Sequence, residues 1–221
     1  MTRRMDARHV FLTGGTGYIG SRLIAALAAR GHRVRALARA GSVARLPGGC
    51  EPVIGDALAA ASYVADVTPA DTFVQLVGVP HPSPAKGPQF RSIDLVSALA
   101  GIDAASQAGV RHFVYVSVAQ PAPVMRAYLA VRAEAEAALR ASGLDATILR
   151  PWYVLGPGHW WPYVLVPAYW LAERFPPTHD QALRLGLVTV GQMVGALVQA
   201  VENPASGVRI VDVPGIRAAR G

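Results

Sequence analysis

Apolar residues recur along this 221-residue chain in two alternating rhythms. Short apolar-rich runs at 9–13 (HVFLT), 33–38 (RVRALA), 51–54, 72–77 (TFVQLV), 112–116 (HFVYV) and 145–149 read as strands, several of them buried on both faces. Between them the apolar positions take helical spacing. Residues 17–30 place Ile19, Leu23, Ala26 and Leu27 on one stripe, and Gly31 closes that helix. A helix of about two turns is expected at 58–64, a long one at 90–108 and a third at 125–141. Every connection is long enough for a right-handed parallel crossover. The pattern therefore predicts an α/β fold, a Rossmann-like doubly wound parallel sheet.

From residue 151 the rhythm changes. An aromatic, proline-rich loop precedes a short strand near 183–188, a helix at 189–201 and a strand at 207–213. About seventy residues are too few for a second core. The expectation is one domain, 1–221, with 151–205 contributing a small cap on the substrate side.

Composition narrows the class. Hydrophobic residues make up 52% of the chain and charged residues 16%, which suits a packed core and argues against disorder. The mean hydropathy of +0.30 raises the membrane question. The most apolar segment, 151–172, has no Asp, Glu or Lys, but Pro151, Gly156, Pro157, Gly158, Pro162 and Pro167 interrupt any helix there. No stable membrane insertion is expected. The first ten residues lack an apolar run with a cleavage site, so the reading is cytoplasmic. A single cysteine, Cys50, leaves no disulfide framework, and the six histidines show no ligand spacing, so no metal site is expected.

The net charge of +7 gains its meaning from its location. Residues 1–45 hold nine arginines and one acid, Asp6, and carry all of the excess. A basic chain attracts nucleic acid, but no recognition helix, RNP sequence or zinc finger is present, and no nucleic-acid partner is expected. A positive field around a phosphorylated small ligand accounts for the same asymmetry.

That ligand is suggested by Thr13-Gly14-Gly15-Thr16-Gly17-Tyr18-Ile19-Gly20, which follows a strand and opens a helix. Glycines are needed where the chain turns sharply, where its backbone approaches a pyrophosphate and where the helix packs on the strand. The helix N-terminus then offers free N–H groups to the phosphates. This context points to dinucleotide binding. The end of the second strand chooses the dinucleotide, an acid favouring NAD and an arginine the 2′-phosphate of NADP. Here it carries Arg39, nineteen residues after Gly20, with no acid before Glu51. NADP(H) is the expected cofactor, with NAD(H) as the alternative. Arg35 has the same side-chain parity as Arg39 and is expected on the same face.

With TGGTGYIG, the sequence GDAL at 55–58, FVYVS at 113–117, Tyr128 before Arg132 and LRPWYVLGPG at 149–158 stand in a familiar order. Together they resemble an atypical short-chain dehydrogenase/reductase of the NmrA-like and epimerase/dehydratase-related group, over about 8–213. The resemblance implies an adenine contact at Asp56 and Ala57, and a cofactor-lining turn at Val77, Gly78 and Val79. It also implies that Pro151, after Arg150, leads toward the nicotinamide and substrate. Active members of the group use a Ser or Thr, a Tyr as general acid/base, and a Lys in Y-x-x-x-K. The matching run here is Tyr128 to Arg132, with arginine in the lysine place, and Ser117 ends the fifth strand. Arginine supplies charge and donors but releases no proton. Tyr128, Arg132 and Ser117 are thus the catalytic candidates, and the resemblance also implies that Arg132 contacts the nicotinamide ribose of the cofactor; the alternative for Tyr128 and Arg132 is a helix-surface pair.

His81 and Lys86 sit in the loop after the fourth strand, where they contact substrate or form a solvated loop. Glu134 and Glu136 read as solvated charges on α-helical 125–141. Trp152, Trp160 and Trp161 are candidates for an apolar substrate wall, and the aromatic segment 159–170 reads alternatively as simple cap packing or as a subunit or lipid contact. Two functions remain open: an NADP(H) oxidoreductase for a small, mostly apolar carbonyl, enone or quinone-like compound, and a catalytically weak NAD(P)-binding sensor, regulatory or assembly protein. A homo-oligomer is compatible with either.

Overall fold

The computed structural model describes residues 7–122, 124–158 and 183–219. Its centre is a seven-stranded sheet in the order β3-β2-β1-β4-β5-β6-β9, with every neighbouring pair parallel. The strands are β1 (His9–Thr13), β2 (Arg33–Ala38), β3 (Cys50–Ile54), β4 (Thr72–Gln75), β5 (His112–Val116), β6 (Asp145–Leu149) and β9 (Val208–Val211). The helices that connect them are α1 (Tyr18–Ala29), α2 (Val96–Gln107), α3 (Arg126–Ala141) and α4 (Val190–Glu202), followed by α5 (Val213–Ala218). A separate parallel pair, β7 (Tyr153–Leu155) and β8 (Leu187–Thr189), lies after β6.

Alternation along the strands divides the core into two layers. Val10, Leu12, Val74, Val114 and Leu149 pack beneath α1 and α4. Phe11, Phe73, Phe113, Ala146 and Ile148 face α2 and α3. The three phenylalanines stand in register on β1, β4 and β5 and form a ladder, with ring centroids 5.3 and 5.1 Å apart. Offset ring contacts of this kind add to the burial of large apolar surfaces. The ladder fixes the three strands whose carboxyl ends frame the site.

Three expected elements come out differently. Residues 58–64 form only the short turns Ala60–Ser62 and Val64–Val67. The Ser62 hydroxyl accepts from the Asp56 N–H and donates to the Ala59 carbonyl, satisfying locally what a helix would otherwise pair. The fourth strand ends at Gln75, because 76–79 leave the sheet to line a crevice. The long helix begins with a π-helical stretch, Phe90–Leu95, that turns Asp94 into the core. Residues 159–182 of the cap expected over 151–205, including Trp160 and Trp161, lie outside the described residues.

Candidate functional site

Consecutive connections from β1 and β4 leave toward opposite flanks of the sheet, so a crevice opens between their carboxyl ends. It encloses about 500 Å³ and runs from Arg39, Ser42 and Arg45, past Gly14, Thr16 and Gly17, to Val77–Pro80 and Ile93. Asp56, Ala57 and Leu58 form part of the same wall.

The glycine turn suits a diphosphate. Gly14 has φ +77, a left-handed conformation, and a Cβ there would lie 2.9 Å from the Leu76 carbonyl carbon. Gly20 packs directly under the turn, where a Cβ would overlap the Gly14 carbonyl oxygen. Gly17, the N-cap of α1, lines the crevice and provides no side-chain acceptor for the first-turn N–H groups. A phosphate oxygen would supply that acceptor. The residues present fit a dinucleotide.

At the far end, Arg39 and Arg45 are exposed and form no ion pair among the described residues. Arg35 has the expected parity but points elsewhere. It binds Glu51 at 3.0 Å and the carbonyls of Asp66 and Thr68, because it lies four residues nearer the amino end of β2.

The catalytic candidates divide. Arg132 is buried on α3. Its Nη2 donates to Asp94 Oδ1 at 2.6 Å, and its Nη1 donates to the Tyr115 hydroxyl and the Val116 carbonyl. Its guanidinium also lies 5.0 Å from the centroid of the Tyr128 ring, which packs against Phe90. Burial alone would lower the Arg132 pKa, but Tyr128, Tyr115 and Asp94 raise it above the ordinary value, so the guanidinium stays charged. Burial pushes the Asp94 carboxyl up, against the pull of Arg132 and the Val79 N–H.

Ser117 turns its hydroxyl onto Glu136 Oε1 at 2.6 Å. Glu136 is not a solvated charge: it is 1% exposed and also accepts from Gln120, Arg140 and Arg150, the last through two bonds. Glu134 is half-exposed and pairs with Arg91 at 3.0 Å. Lys86 donates to the Pro80 and His81 carbonyls and clasps the loop after β4, in which His81 is exposed.

Of the residues singled out in the sequence, the crevice brings together Gly14, Thr16, Gly17, Arg39, Asp56, Ala57, Val77, Gly78 and Val79. Ile19 and Gly20 do not line it: Ile19 packs on the core and Gly20 lies under the glycine turn. Tyr18 lies against Gly156, where a Cβ would overlap its hydroxyl. Tyr128, Arg132, Ser117, His81, Pro151 and Trp152 do not line this cavity; Trp152 packs on the core edge and on Tyr153. Asp94 escaped the sequence reading, and Glu136 was misread there as a solvated charge. The signal for Glu136 was available, since Arg132, Glu136 and Arg140 repeat at i, i+4 on one helix face.

Residues 14–157 match the NAD(P)H-binding family. The chain belongs to the NAD(P)H-binding family. Among similar proteins of this kind, ceramide reductase from Caulobacter vibrioides is 31% identical over 214 residues, 94% of this chain. The chain spans 66% of that protein's length. A 3-diazoavenalumate denitrifying reductase from Streptomyces is 30% identical over 90% of this chain and 73% of its own. The fold matches the NAD+ complex of the Bordetella bronchiseptica enzyme WbmH at a TM-score of 0.68 and 22% identity, covering 91% of this chain and 74% of that one. A UDP-galactose 4-epimerase gives 0.70 at 18% identity, covering 92% and 76%. The NAD(P)H-binding chain thus has a Rossmann-like fold shared with these dinucleotide-bound and epimerase structures, and it is similar to reductases at about 30% identity. Among the described residues, no helix is long and apolar enough to cross a membrane.

Proposed function

We propose that the protein is an NADP(H)-dependent oxidoreductase acting on a small, mostly apolar carbonyl, enone or quinone-like compound. The observation that carries this reading is the crevice itself: a glycine turn with no side-chain cap at its centre and, at its end, Arg39 and Arg45, which form no ion pair among the described residues. The first-turn N–H groups of α1 hold the diphosphate. Arg39 and Arg45 bracket a 2′-phosphate through charge-assisted bonds. Asp56 and Ala57 border the adenine, and Val77–Val79 border the nicotinamide half. The nicotinamide, when bound, supplies or accepts hydride.

Tyr128 is the group assigned to give a proton to the developing alkoxide, with the Arg132 charge beneath its ring. Ser117 is not assigned a catalytic part here, because its hydroxyl is engaged by Glu136. An apolar substrate is in keeping with the aromatic content of 152–170 and with ceramide, named in one similar reductase.

Assaying NADPH oxidation over aldehydes, ketones, enones and quinones tests the proposal. Turnover is expected on the activated compounds, and Tyr128→Phe lowers it by roughly 10²–10⁴-fold while NADPH affinity stays nearly unchanged. Bound NADPH with no oxidation across the panel supports instead a sensor, regulatory or assembly role. That second reading draws on one specific observation, the commitment of Ser117 and Arg132 to internal partners.

A further inference from the structure

Asp94 and Arg132 stand 38 residues apart in the chain and share a buried ion pair beneath the crevice. The two carboxylate oxygens of Asp94 divide their work. Oδ1 accepts from Arg132, and Oδ2 accepts from the Val79 N–H at 3.0 Å. Gly78 lies directly on the pair: a Cβ there would come within 2.6 Å of Arg132 Nη2 and 3.2 Å of Asp94 Oδ1. Gly78 and Val79 are also crevice wall. The other guanidinium nitrogen ties down the end of β5 through Tyr115 and Val116, and the plane of charge lies under Tyr128.

A polar chain continues from the same point. The Asp94 carbonyl accepts from Ser97, whose hydroxyl accepts from Gln75, whose Oε1 accepts from Thr13 immediately before the glycine turn. Apolar residues of similar volume commonly hold a fold as well as a buried ion pair does. What the pair adds here is position: Asp94 holds the Val79 N–H and meets Arg132 directly under Gly78, and Val79 and Gly78 are both crevice wall.

We propose that Asp94 and Arg132 are positioning residues that fix the Val77–Val79 wall and set Tyr128 in register with it. Arg132 thereby acts on the site through the wall and the tyrosine, without touching the dinucleotide. A lysine could not replace it, since one ammonium cannot meet Asp94, Tyr115 and Val116 in a single plane. The proposal rests on the reading of the crevice as an NADP(H) site, with its nicotinamide half at Val77–Val79.

The test compares intact NADPH with adenosine 2′,5′-bisphosphate, which occupies only the Arg39 end. Wild-type binding of both checks the underlying reading, and its absence overturns that reading on its own. Given that binding, Asp94→Asn and Arg132→Lys should each weaken NADPH by about tenfold and leave the bisphosphate within about twofold. Equal weakening of both ligands, or of neither, overturns the proposal. Hydrogen exchange on the wild type supplies a readout that does not depend on how a variant folds. The Val79 amide, donating to the buried carboxylate, should be protected in the ligand-free protein, and exchange at the rate of an exposed loop overturns the proposal.

Discussion

Glu136 shows how a single side chain can be visible in a sequence and still be misread. Its spacing from Arg132 and Arg140 was legible, but Arg150, which neutralises it, and Ser117, which donates a hydrogen bond to it, come from the ends of β6 and β5. Burial would raise its carboxyl, yet hydrogen bonds from Arg150 and Ser117 and the charge of Arg150 hold it below the ordinary value. Removing one member of a buried pair strands the other charge. Glu136→Ala should therefore lose about 3–5 kcal/mol in urea unfolding, whereas Glu134→Ala, at the surface, should change stability by less than about 1 kcal/mol. Equal small effects would show that Glu136 is solvated after all. Arg39 is the opposite case: its place just after β2 was readable, and it stands exposed at the crevice end with no ion pair among the described residues.

At the scale of the element, α1 and the turn before it were the most legible part of the chain. The glycines are there for close approach, which is a local demand that leaves a local pattern. The structure also separates their tasks. A side chain at Gly17 meets only the Gly14 carbonyl, at 3.1 Å, and otherwise faces the crevice. A side chain at Gly20 overlaps that carbonyl and must push the helix off the turn. Gly17→Val should keep most of the unfolding free energy and lose dinucleotide binding. Gly20→Val should lower the melting temperature sharply as well, and intact stability would contradict the packing described. The expected helix at 58–64 failed because Ser62 closes a loop on Asp56, a side-chain competition that apolar periodicity does not register.

Across the whole molecule, the parallel sheet follows from the alternation of strands and helices, and the observed order, with β1 beside β4, places the crevice. What alternation could not reveal was the polar wiring through the core. One such group, His112 at the amino end of β5, is 1% exposed and bonded to Thr147. Burial, with help from Arg209, lowers its pKa from 6.5 to about 4. The unfolded chain then binds a proton that the folded one refuses, so the associated stability is complete above the unfolded value and declines as pH falls from 6.5 toward 4. The loss amounts to about 3 kcal/mol, and Glu136 extends it at lower pH. Urea melts between pH 7 and 4 should show this slope for the wild type and a shallower one for His112→Gln. A flat wild-type profile would contradict it.

The most direct measurement of the account is a fluorescence titration of the wild-type protein and Arg39→Ala with NADPH and NADH. The crevice predicts NADPH binding at least about tenfold tighter than NADH, with most of that preference lost in Arg39→Ala while NADH affinity barely moves. Equal affinities in the wild type, or a preference for NADH, would contradict it.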